Sequence, residues 1–91
     1  MVVWDALPGS ELVVKGLRDL ELGALTDEAL LVSIGAPRLR TLGIPVLDPV
    51  EDADHLLWAR LAEHDPDSAH GRYNALVRRL VSFERALACA A

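Results

Sequence analysis

Apolar residues recur along this chain at spacings of three and four, and the runs that carry them are cut apart by glycine and proline. That period belongs to helices with one face on a core, not to half-buried strands. Breaks fall at Pro8-Gly9-Ser10, Gly23 to Thr26, Gly35-Ala36-Pro37, Gly43 to Pro49 and Asp65-Pro66. Glycine and proline end regular elements there because one supplies unusual backbone angles and the other removes a donor. No unit of roughly 20 to 50 residues recurs, which excludes a solenoid.

The segment Glu11 to Leu22 reads as a helix capped by Ser10 and closed by Gly23. Val13, Leu17 and Leu20 share its buried face, while Glu11, Lys15, Arg18 and Asp19 take the solvent side with Glu11 and Lys15 as an i,i+4 pair. Thr26 followed by Asp27 and Glu28 predicts the cap and acidic first turn of a second helix. Its continuation through Ile34 is apolar nearly all round, which places it at the centre of a fold. A buried strand is the competing reading of so short a run; the threonine cap and the want of a partner strand favour helix.

Pro37 to Leu42 predicts a short third helix ended by Gly43, and Ile44-Pro45-Val46-Leu47 predicts an extended segment draped over the core. Asp48 as N-cap, Pro49 at N1 and Glu51 at N3 predict a fourth helix from Pro49 to about His64, with Val50, Ala53, Leu57 and Leu61 inward and Trp58 at the edge. Asp65-Pro66 opens the last segment. There Ala69, Tyr73, Leu76, Leu80, Phe83, Leu87 and Ala90 alternate spacings of four and three, and Gly71 weakens the first turns.

A helix from Pro66 to Cys89 would be roughly 36 Å long at 1.5 Å per residue. A compact sphere of this chain length would be only roughly 31 Å across. The spacing therefore predicts an apolar end that overhangs its own domain and is covered by a second copy.

Composition narrows the class. Ninety-one residues, 52% of them apolar, make one domain (1–91) with an ordinary core. The net charge of −5 repels nucleic acid and anionic lipid. The single cysteine, Cys89, can form no internal disulfide and fits a reducing cytoplasm. The start lacks the basic and apolar regions of a secretion signal, and the longest uncharged run, Ala29 to Pro37, is too short to span a bilayer. Arginine outnumbers lysine eight to one and glutamine is absent. That bias fits a GC-rich bacterial genome, with a thermophile as the weaker inference.

Candidate chemistry is thin. Glu51, Asp52, Asp54 and His55 form the densest ionisable cluster, but acids in the first turns after a proline are explained by the helix dipole. His55, His64 and His70 match no zinc spacing. Ser10, Ser33, Ser68, Ser82 and Cys89 stand without a recognisable base, and neither a phosphate loop nor a nucleophile elbow occurs. No catalytic residue, metal or cofactor is expected.

Thr26 to Gly43 has the outline of a helix-turn-helix, with Arg38 and Arg40 as groove or phosphate contacts. Its second helix is short and the overall charge opposes DNA. A small DNA-binding regulator is thus the alternative reading. The arginines of the last helix, Arg72, Arg78, Arg79 and Arg85, read as a solvated face. The aromatics Trp4, Trp58, Tyr73 and Phe83 sit where they could serve an interface or fill the core.

The expectation is an all-α domain of about five helices in a non-parallel bundle with a long C-terminal helix. Its expected role is a non-catalytic protein–protein interaction module, a homodimer joined through Tyr73, Leu80, Phe83 and Leu87.

Overall fold

The computed structural model describes residues 6–90, and the fold they form is all-α. Helix α1 spans Ser10–Glu21, α2 Asp27–Ile34, α3 Ala36–Thr41, α4 Ala53–His64 and α5 Ala69–Ala90. No strand occurs among the described residues, so the second segment is helix. No described helix is long and apolar enough to cross a membrane.

Helix α2 occupies the centre because it has almost no polar face. Residues 29–33 are all buried, and α2 packs on each of the other four helices. The core around it joins Val13 of α1, Leu39 of α3, Leu57 and Leu61 of α4, and Leu80, Phe83 and Leu87 of α5. Ser33 is reconciled with this setting by two bonds. Its hydroxyl donates to the Ala29 carbonyl at 2.9 Å and accepts from the Val50 amide at 3.0 Å.

Helices α1 and α2 approach until their backbones nearly touch. A Cβ added at Gly16 would collide with the Glu28 carbonyl oxygen and lie 2.7 Å from Val32 Cγ1. The turn that joins them is fixed at both ends. Thr26 Oγ1 accepts from the Ala29 amide at 3.1 Å as the expected cap, and the same hydroxyl donates to Asp19 at 2.6 Å. Lys15 bonds the same Asp19 carboxylate at 2.7 Å and stands 3.7 Å from Glu28. Asp19 is thus a buried link between two helices, not the solvated residue its position predicts, and Glu11 pairs with Arg79 of α5 in place of Lys15.

Element boundaries depart from the pattern where tertiary bonds compete with local caps. Gly9, with φ of 80°, replaces Ser10 as N-cap of α1. A Cβ at Gly9 would sit 2.7 Å from the Arg79 carbonyl oxygen, so close packing on α5 selects glycine there. The cap expected at Asp48 does not form, because the Val50 amide is taken by Ser33 and the chain passes through left-handed Asp48 and Asp52 before α4 begins at Ala53. At the start of α5, residues 66–68 form a turn that uses Asp65 as acceptor for the Asp67 amide at 3.2 Å. The helix runs on through Gly71.

The predicted overhang is absent. The molecule measures 41 × 25 × 18 Å, so its long axis accommodates the roughly 33 Å that the 22 residues of α5 occupy. The spherical diameter underestimates that axis. Leu80, Phe83 and Leu87 keep at most 4% of their surface exposed and belong to the core of the single chain.

Two predictions follow from these contacts. Gly16→Ala should force α1 and α2 apart and lower unfolding free energy by about 2 kcal/mol or more, whereas Gly71→Ala, with open space around it, should raise it by about 1 kcal/mol; urea denaturation of both variants checks the contrast. The second concerns acid. The Lys15 ammonium and the Thr26 hydroxyl hold the Asp19 carboxyl below the usual carboxylate range. The folded state then binds that proton less tightly than the unfolded state, so the stability gained is present at neutral pH. It disappears as pH falls through the unfolded carboxylate value of about 3.9 and then the lower folded one. Asp19→Asn should therefore be less stable than wild type at pH 7, with the gap closing toward about pH 2 in paired denaturation curves.

Candidate functional site

After Gly43, with φ of 93°, the chain cannot continue as helix and runs extended over residues 44–47. Extended backbone alternates its side chains. Ile44 and Val46 accordingly insert into the core at 5% and 1% exposure, while Pro45 and Leu47 face outward. This strap is held by backbone and by one side chain. The Ile44 amide donates to the Leu39 carbonyl at 2.9 Å, and Arg40 donates to the Val46 carbonyl through Nε at 3.2 Å and Nη2 at 2.7 Å.

Between the strap and the C-terminal half of α1 lies an open groove of about 270 Å³, lined by Leu17, Leu20, Glu21, Gly43, Ile44, Pro45 and Leu47. Its walls are mostly apolar. Leu47 remains 69% exposed at its rim, and Leu22 and Leu25, in the turn that follows α1, are 75% and 55% exposed. These three are the most exposed of the large apolar side chains among the described residues, ahead of Trp58, Leu56 and Val14.

The residues expected to form the interface fall elsewhere. Leu80, Phe83 and Leu87 are enclosed by the chain itself, so no exposed seam runs along α5 at these positions. Tyr73 is half-buried beside Ser33, Val50, Asp52 and Asp54. Trp58 is 46% exposed on α4, and Trp4 lies outside the described residues.

Arg38 and Arg40 are both exposed on α3 but are engaged differently. Arg40 spends its guanidinium on the strap, and Arg38 stands near Glu84 of α5. Burial pushes the Glu84 carboxyl up from its ordinary range and the Arg38 charge opposes that shift. Helix α3 has only six residues, little more than one and a half turns.

Among the described residues no three His, Cys, Asp or Glu side chains gather as a metal-binding group. Glu51, Asp52 and Asp54 are all exposed, and Ala53 among them turns inward. Near the other end of α4, Arg60 bonds Asp27 at 2.9 Å, and His64 and Arg72 line the adjoining surface hollow. Cys89 is exposed on α5.

Sequence reasoning placed the strap but missed the groove. Its signal was the occurrence of Leu47 in a glycine- and proline-rich connection, where no helical face exists to hide it. Comparison with known proteins finds no family model and no curated protein that matches this sequence, and no solved structure that matches the fold.

Replacing the Arg40 clamp tests the local architecture. Arg40→Met should cost about 1 kcal/mol, since the bonds lost are charge-assisted but lie at an exposed position. Amide exchange at Ile44 should quicken relative to α2, and lysine at this position should restore only part of the protection because it lacks the planar fork.

Proposed function

We propose that this chain is a non-catalytic protein–protein interaction module that self-associates, with the groove between α1 and the strap as its contact face. The observation that carries this reading is an open, mostly apolar groove with Leu47 69% exposed at its rim. Leucines in that setting gain by leaving water, at roughly 25 cal/mol for each Å² covered.

A second copy suits the face because it carries protruding and receiving parts together. Leu47 projects from the strap that also forms one wall of the groove. A two-fold axis can bring each Leu47 to the other copy's groove, satisfying both at once. The lining of seven residues is far below the about 20 to 30 per side of a standard stable interface. Association through it is accordingly weak and depends on concentration.

Sedimentation equilibrium between about 10 μM and about 1 mM, spanning the range of weak affinities, should show the mass rising from 9.9 kDa toward twice that value. Leu47→Arg should hold the mass at 9.9 kDa with an unchanged helical spectrum, because the side chain is outside the core. Phe83→Arg should unfold the chain, since it buries a charge where exposure is 0%. A wild-type mass of 9.9 kDa throughout the range would overturn the self-association reading.

A further inference from the structure

Glu84 is the only acid of α5, and it is turned inward with 9% of its surface exposed. Among the described residues no ion pair or side-chain hydrogen bond engages it, whereas Asp19, the other buried acid, has both Lys15 and Thr26. Its Oε2 seats against main chain instead. A Cβ added at Gly35 would lie 3.3 Å from that oxygen and 2.9 Å from Leu80 Cδ2. Gly35 is both the last cap of α2 and the first cap of α3, so the carboxyl group sits where α5 meets the corner between those two helices.

Two influences act on this group. Burial disfavours its charged form, and the charge of Arg38 on α3 favours that form with the smaller effect. Arg38 is the one charge that bears on it: no ionised group of α1, α2 or α4 does, and Gly35 and Leu80 carry none. No fully enclosed side-chain oxygen among the described residues lacks a partner, so the Glu84 oxygens keep a path to water and can exchange a proton. The corner is also wired to the strap. Arg38 and Arg40 stand two residues apart on the six-residue α3, and Arg40 holds the Val46 carbonyl at 2.7 Å.

We propose that Glu84 is a pH-sensitive latch: when neutral it lets the α2–α3 corner close on α5, and when ionised it loosens that corner and, through α3, the grip of Arg40 on the strap. The latch requires no occupant in the groove and stands apart from self-association. Because burial raises the carboxyl above its ordinary range, the folded state binds the proton more tightly than the unfolded state. The stability this gives is complete below the unfolded glutamate value of about 4.3 and is lost as pH rises through the higher folded value.

The test follows the Glu84 carboxyl by carbon-13 NMR in the full chain, its signal assigned by its loss in Glu84→Gln. The wild-type midpoint should lie above about 4.3, and Arg38→Met should move it further up by removing the opposing charge. Amide exchange at Ile44, whose amide bonds the Leu39 carbonyl, is read relative to Val32 of α2 so that the intrinsic pH dependence cancels. From about pH 4 to about pH 8 that ratio should rise by about threefold or more in wild type and by no more than about 1.5-fold in Glu84→Gln. In urea, Glu84→Gln should gain on wild type as pH rises over the same range. A midpoint at or below the ordinary glutamate value, a flat wild-type ratio, or an equal rise in Glu84→Gln would each overturn the latch.

Discussion

Helix α2 imposes the constraint from which the architecture follows. With residues 29–33 buried on every side, it has no stripe to offer water and must be covered all round. Four helices provide that cover, and two glycines let them come close enough. Gly16 brings α1 onto the Glu28 carbonyl and Val32, and Gly35 leaves room for Leu80 and the Glu84 carboxylate of α5. The hydroxyl of Ser33 then ties the centre of the molecule to the chain ahead of α4, so that packing and hydrogen bonding fix the same arrangement.

Polar links reinforce the periphery in a similar way. Asp19 serves Lys15 and Thr26 together, and Thr26 in turn caps α2, so a single carboxylate joins the last turns of one helix to the first turn of the next. Arg79 and Glu11 fasten α1 to α5, and Arg60 and Asp27 fasten α4 to α2. These surface pairs are worth little individually. Their effect is to select one relative placement of helices whose apolar faces alone would tolerate sliding.

Helix number, order and the central place of α2 were legible because they depend on local periodicity and on glycine and proline punctuation. Helix starts were less so. Asp48-Pro49 has the local chemistry of a cap, yet a serine from α2 claims the Val50 amide, and nothing near Asp48 in the sequence signals that competitor. Likewise the heptad of α5 was readable as an apolar stripe, whereas its cover was not. Leu80, Phe83 and Leu87 look the same in sequence whether the surface opposite belongs to the chain itself or to another copy. Of the candidate site, only the extended strap was foreseeable. The groove arises where it passes α1, and Arg40 reaches a main-chain carbonyl, an acceptor that every residue possesses and no motif reveals.

The strap's alternation also limits how this protein can vary in length. Ile44 and Val46 point inward while Pro45 and Leu47 point outward, so insertion or deletion of one residue just before Ile44 would exchange the two sets. Proline would then be driven into the interior and valine and isoleucine turned out to water. Changes of two residues would preserve the facing. The connection between α3 and α4 is thus governed by parity, a restriction on evolutionary drift that an ordinary surface loop escapes.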